Sequence, residues 1–290
     1  MSHSAFAPGK VILMGEHAVV YGHPALAMAV NRGMTVTLRE RAGATAIEDG
    51  DVSDVRLERA LAEVLPSHGW SVQIASDLPV GRGMGSSAAL AVALARASAS
   101  ALGHPSTPSH IEKVAASIEQ IFHGTPSGVD QTVCTRGGAI RFQRTPEGAR
   151  YQSVALPELP IVVIDSGSAG NTGEMVAAVA GRRPAIDPYL QQIGDLLNET
   201  WPALMAGDLA AIGQAWHENH WLLRAIGVST PTLDEIVTLA TRAGALGAKL
   251  AGAGGGGVVI ALAPEPQTVI RAAEARGLAA ITVRQFSPPV

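Results

Sequence analysis

Three glycines alternate with other residues in PVGRGMGSSAA, Pro79 to Ala89, and two serines follow where the chain turns into a run of small apolar residues. Gly81, Gly83 and Gly85 let a backbone come close to a ligand. Ser86, Ser87 and Ala88 open a helix whose first amides have no partner within the helix itself. Free amides and the positive end of a helix dipole suit an anion, with phosphate the leading candidate. Glu119 and Asp130 stand eleven residues apart across a Gly-Thr-Pro-Ser-Gly turn. One carboxylate can hold magnesium while the other, on a rigid turn, orients or deprotonates an attacking hydroxyl. Lys10 can face developing negative charge, and Glu16 with His17 forms a polar pair after an apolar strand. Together these are the parts of a phosphoryl transfer. Each part alone has a plainer reading: serine caps at an ordinary helix start, a solvated Glu119, Asp130 as a turn residue, Lys10 and His17 on the surface.

Other chemistries fail on spacing. A dinucleotide loop needs G-x-G-x-x-G and an acid about 20 residues on, whereas no Asp or Glu occurs between Asp77 and Glu112. A Walker loop needs Gly-Lys followed by Ser or Thr, and Gly9-Lys10 is followed by Val11. HENH, His217 to His220, has its histidines one position too close for a zinc helix and lacks a third ligand. Trp201, Trp216 and Trp221 read as packing residues of the second half.

The elements that must carry these groups follow from periodicity. KVILMGEHAVV, PALAMAV, GMTVTLRE and WSVQIASDLP read as strands, and DVRLERALAEVL as an amphipathic helix. The glycine loop leads into a helix from Ser86 to Leu102, closed by Gly103. TPSHIEKVAASIEQIFHG predicts a helix with a capping box at Ser109 and Glu112 and a stop at Gly124. AIRFQR and QSVAL follow as strands. PELPIVVID is a short buried-type strand between prolines, and a domain boundary is expected at Pro157, dividing residues 1–157 from 158–290. Beyond it come helices at 172–181, across 187–225 and from Thr230, then the tract AGAGGGG, the strand VVIALA, a helix near 266–276 and the strand AITVRQF. Interleaved strands and helices suit a two-layer α+β sandwich.

The chain has 290 residues, 47% of them apolar, enough for a full core in two domains without disulfides. A net charge of −4 and the lack of a basic run argue against nucleic acid. Cys134 is the single cysteine, expected as a small packed residue, and a reducing compartment fits it. The N-terminus lacks the basic-then-apolar pattern of a leader, and no uncharged apolar run reaches the ~18 residues needed to span a bilayer. The expectation is a cytoplasmic protein that does not bind membranes, with a monomer and a homodimer both open.

In order along the chain, Lys10 to Gly22, Pro79 to Ala89, His123 to Gln131 and GAKLAGAGGGG, Gly247 to Gly257, resemble the signature segments of the GHMP small-molecule kinases. PGKVILMGEHAVVYG and HGTPSGVDQ are most similar to the mevalonate kinase branch, as is NHWLLRAIGVSTPTLDEIV further on. The resemblance implies a two-domain α+β GHMP kinase-like fold, with an N-terminal half like domain 2 of ribosomal protein S5 and a C-terminal ferredoxin-like sandwich. It implies ATP-dependent phosphorylation of the primary hydroxyl of mevalonate. Another substrate of the superfamily, such as phosphomevalonate or a sugar, and a nucleotide-binding regulator without catalysis are the alternatives. By the same resemblance Asp130 is the catalytic aspartate and Lys10 the lysine that contacts phosphate and lowers the pKa of the substrate hydroxyl. Ser87 and Glu119 are implied as Mg2+ ligands, Glu16, His17 and Thr172 as substrate-side residues, and Gly252, Gly254 and Gly255 as a third glycine motif. Pro79, Gly81, Gly83, Met84, Gly85, Ser86, Ser87 and Ala88 are implied as the ATP-binding loop. The substrate carboxylate needs a cation. Arg141 and Arg144 lie on opposite faces of one strand, and Arg144 is the expected partner. Met84 replaces a common leucine, and DSGSAGNTG lacks the basic residues of animal relatives, which leaves Thr172 the loosest match.

Overall fold

A computed structural model describes residues 1–48, 54–79, 82–123 and 128–288. Gly81 and the turn 124–127, both parts of the expected site, lie outside the described residues. The chain divides into two units interleaved in sequence: Met1–Lys10, Arg32–Pro79 and Gly85–Gly137 in the first, Val11–Asn31, Val80–Met84 and Gly138–Val290 in the second.

Strands β1 (Ser2–Met14) and β2 (Ala25–Ala44) run from one unit into the other. The strand expected over KVILMGEHAVV stops at Met14, because Gly15 takes a left-handed φ of 96° and Ala18–Tyr21 form a 3-10 turn. PALAMAV and GMTVTLRE, expected as two strands, are one continuous β2.

In the first unit β3 (Ala46–Ile47), α1 (Val55–Val64), β4 (His68–Ser76), α2 (Ser86–Leu102), α3 (Pro108–His123) and α4 (Val129–Arg136) follow in order. β4 pairs antiparallel with the later half of β2, from Met34↔Ser76 to Glu40↔Trp70, and β3 pairs parallel with β4. Val36, Leu38 and Val72 are fully buried. Helix α2 is buried all round from Ala88 to Ala95, and its alanines let α1, α3 and α4 pack close. The capping box at Ser109 and Glu112 does not form. Thr107 accepts the His110 amide instead, and Glu112 grips Arg136 of α4 through two hydrogen bonds of 2.5 and 3.0 Å. A bidentate guanidinium partner offers more to a carboxylate than one orphan amide does.

In the second unit β5 (Ala139–Thr145) pairs with the start of β2, from Ala25↔Phe142 to Met28↔Ala139, and β6 (Gly148–Val154) pairs with β5. Next come β7 (Ile161–Asp165), α5 (Thr172–Gly181), α6 (Asp187–Ala206), α7 (Leu209–Ala225), α8 (Pro231–Arg242), β8 (Gly247–Ala251), β9 (Val258–Leu262), α9 (Pro266–Glu274) and β10 (Ala280–Val283). A four-stranded antiparallel sheet has the order β10-β7-β9-β8, with α7, α8 and α9 packed against it. β8 and β9 are buried at every residue, so they lack the alternation of a half-exposed strand. Trp216 is fully buried as expected, whereas Trp221 is 54% exposed and meets Tyr189 edge to face.

Candidate active site

Lys10 lies on β1 in an apolar run, and only 4% of its side chain reaches solvent. Its Nζ stands 3.2 Å from Asp130 Oδ2. Asp130 occupies the first turn of α4, whose N-cap Gly128 takes φ 89° and turns the chain into the helix. The aliphatic stem of Lys10 crosses Gly85, where a Cβ would fall 2.9 Å from Lys10 Cγ. Gly85 also has φ 73° and is the N-cap of α2, so a glycine is required on two counts.

Ser87 is the second residue of α2, and its hydroxyl hydrogen-bonds the Glu119 carboxyl from α3. Glu119 is 2% exposed, and its Oε1 has no hydrogen-bond partner among the described residues. Burial, aided by the Asp130 charge, pushes its carboxyl up to about 7. Lys10, Gly85, Ser87, Glu119 and Asp130 therefore meet within the first unit, and Ser86 and Ala88 flank Ser87 at the helix start. Cys134, one turn after Asp130, is fully buried as expected, and burial raises its thiol well above the usual range. Arg96 of α2 braces the group from behind, donating at 2.7 Å to the carbonyls of both Phe6 on β1 and Thr135 on α4.

Residues 82–84 of the glycine loop belong to the second unit. Pro79, in the first unit, is half-buried, and Met84 is buried. Gly83 lies alongside Gly252, while Arg82 pairs with Asp165 at the end of β7 at 3.2 Å. Gly255 donates its amide to Val228 O at 2.8 Å. Gly254, at φ 79°, rests so close to the same carbonyl that a Cβ would fall 2.1 Å from it. Glu16 forms an ion pair with Lys249 of β8, and His17 Nε2 hydrogen-bonds Ala253 O at 2.8 Å. Burial lowers the pKa values of both His17 and Lys249. Arg144 lies half-buried on β5, and Thr172 is exposed at the first residue of α5. Arg141 is engaged elsewhere, with Asn198 Oδ1 at 2.6 Å and the Trp201 ring at 4.6 Å.

Arg82 and Lys249 escaped the sequence reading. Lys249 carried a usable signal, since it is the one charged residue between Arg242 and Glu265. A lone lysine in an apolar strand is buried only with a partner.

Residues 55–138 match the GHMP kinases N terminal domain, and residues 201–278 match GHMP kinases C terminal. Residues 2–40 match the galactokinase galactose-binding signature. The mevalonate kinase of Thermococcus gammatolerans is 38% identical over 311 aligned residues, covering 93% of this chain and 91% of that protein. The chain belongs to the mevalonate kinase family. The mevalonate kinase of Thermococcus sibiricus is 35% identical over the same 93% of the chain. In three dimensions the L. major mevalonate kinase, solved with R-mevalonate, gives a TM-score of 0.86 at 26% identity, covering 99% of this chain and 97% of that one. Membership of the mevalonate kinase family accounts for the α+β architecture and for the glycine loop ahead of α2. Among the described residues no helix is long and apolar enough to cross a membrane. Among the same residues no group of three or more His, Cys, Asp or Glu side chains could hold a metal ion.

Proposed function

We propose that the protein transfers the γ-phosphoryl group of ATP to the primary hydroxyl of mevalonate, giving 5-phosphomevalonate and ADP. The observation that carries this reading is the close pairing of Lys10 with Asp130 beside the start of α2. A protein that only bound nucleotide would need no carboxylate facing a buried ammonium at a phosphate-binding helix start.

Phosphoryl transfer asks a protein chiefly for alignment and charge neutralisation. The amides at the start of α2 and the loop from Pro79 to Ala88 bind the phosphates, the glycines allowing close approach. Asp130 Oδ2 accepts the proton of the mevalonate hydroxyl as its oxygen bonds to the γ-phosphorus, and the bond from that phosphorus to the β,γ-bridging oxygen breaks. Lys10 holds Asp130 in place and offsets the charge that develops on the transferred group. Glu16, His17, Arg144 and Thr172 are assigned to the substrate side, Arg144 as the cation for the carboxylate. Gly252, Gly254 and Gly255 are assigned to the nucleotide side as the third glycine motif.

The donor set fits Mg2+. Glu119 offers a buried oxygen with no hydrogen-bond partner among the described residues, and Ser87 an adjacent hydroxyl. Two protein oxygens suit an ion that takes its other ligands from water and phosphate. Bound there, Mg2+ would neutralise phosphate charge. Residues 1–157 are assigned to ATP and substrate binding and 158–290 to the C-terminal domain, divided at the proline-flanked segment around Pro157.

Coupled ADP release measured with mevalonate, phosphomevalonate, galactose and homoserine tests the assignment. Release with mevalonate alone is the expected result. The galactose-binding signature over residues 2–40 favours a sugar as the second reading, and release with galactose but not mevalonate would establish it. No release with any of the four, despite nucleotide binding, would indicate a regulator.

A further inference from the structure

Glu16 and Lys249 are separated by 233 residues and share an ion pair with 1% and 0% of their side chains exposed. The next residue, His17, is tied to the same stretch by its bond to Ala253 O. It holds φ 59° with ψ −45°, a positive-φ conformation that a residue with a Cβ adopts at a cost. Two consecutive residues of the first motif are thus fastened to β8 and to the glycine tract that follows it.

The lysine end is itself fixed. The Leu250 amide donates to His220 Nδ1, which leaves the proton on Nε2 to donate to Asp234 Oδ1 at 3.0 Å. Asp234 also accepts from Ser229 Oγ at 2.6 Å and pairs with Arg224 at 2.9 Å. Lys249 therefore stands on a strand whose register is pinned one residue away.

A buried ion pair is a poor device for stability alone, since two well-packed apolar side chains do as well or better. The pair makes sense where a carboxylate must stay charged and fixed in a dry place. We propose that Lys249 is a positioning residue: it holds the Glu16 carboxylate ionised and in one orientation for the substrate, and itself touches no substrate. This rests on the reading of Glu16 as a substrate-side residue.

Three variants of the full chain test it: Lys249→Met, Glu16→Gln and the double variant. Each is measured for melting temperature, affinity for a fluorescent ATP analogue, and kcat and KM with mevalonate. Lys249→Met is expected to melt lower and to lose at least tenfold in kcat/KM for mevalonate, with nucleotide affinity within threefold of wild type. The double variant, free of an orphaned charge, is expected to recover most of the melting temperature and none of the activity. Activity that returns together with stability would overturn the proposal, because the pair would then be only a brace. Wild-type kcat/KM in Lys249→Met would overturn it as well. Should Lys249→Met not fold, Lys249→Arg is read in the same way: a tenfold rise in KM for mevalonate at unchanged nucleotide affinity supports the proposal, and an unchanged KM overturns it. Failure of the wild-type protein to release ADP with mevalonate would instead count against the functional reading.

Discussion

Lys10 Nζ and Asp130 Oδ2 stand 3.2 Å apart, the lysine sealed from solvent and the aspartate 30% exposed. The asymmetry fits a division of labour in which the lysine anchors and the carboxylate meets the reactant. Replacing Asp130 by Ala is expected to lower kcat by about 100- to 10,000-fold, the range spanned by positioned proton acceptors. ATP affinity should survive, because the proposed phosphate-binding loop from Pro79 to Ala88 does not include Asp130. Single-turnover phosphorylation and nucleotide titration check the two halves of this statement, and near-normal turnover would remove Asp130 from the mechanism.

Gly85 carries a second constraint on the same pair. A Cβ there would press on the Lys10 stem at 2.9 Å and would sit on a residue with φ 73°. Gly85→Ala is expected to cost about 1–2 kcal/mol in stability from the left-handed backbone alone. It should lower kcat further by displacing Lys10. Chemical denaturation and steady-state kinetics on one preparation separate the two effects.

Glu119 should make the metal-free protein less stable as pH rises. Its carboxyl is held up at about 7 against an ordinary value of 4.5, so the unfolded chain loses that proton first. Its contribution is therefore full below 4.5 and declines as pH rises toward 7, by about 3 kcal/mol at the limit. Glu119→Gln is expected to melt higher than wild type at pH 8, to differ little at pH 4.5, and to be inactive. Melting curves at both values test this, and an equal gap at the two pH values would contradict it.

His220 acts in the opposite sense. Burial lowers its pKa to about 4 from 6.5, so the unfolded chain gains that proton first and stability declines as pH falls from 6.5 toward 4, by a similar amount of about 3 kcal/mol. Between 4.5 and 6.5 the slopes from Glu119 and His220 offset each other. His220→Gln should leave only the Glu119 slope, making stability fall as pH rises across that window. Glu119→Gln should leave only the His220 slope, with stability rising instead. Urea titrations of both variants at pH 4.5, 5.5 and 6.5 check the two signs.

Local signals accounted for much that was legible in advance. Helix α2 begins and ends where the glycine loop and Gly103 placed it, and Thr230 caps α8 through the Leu233 amide. Both depend on neighbours within a few residues. Lys10, Ser87, Glu119 and Asp130 were legible as a set through their resemblance to the GHMP kinase segments, since each residue alone has a plainer reading. β8 was not, since Gly-Ala-Lys-Leu-Ala beside a glycine tract has neither alternation nor length.

The amino-acid order alone thus determined the glycine turns and the helices other than α4, because capping, periodicity and backbone freedom act over one or two turns of chain. The class of chemistry came from the motifs, and α4 (Val129–Arg136), which carries Asp130, was not among the expected helices. The tertiary structure decided which charged groups meet. Glu112 took Arg136 rather than a capping amide, and Glu16 met a lysine 233 residues away. A buried charge is satisfied by whatever the packed core brings beside it, and that choice is made in space.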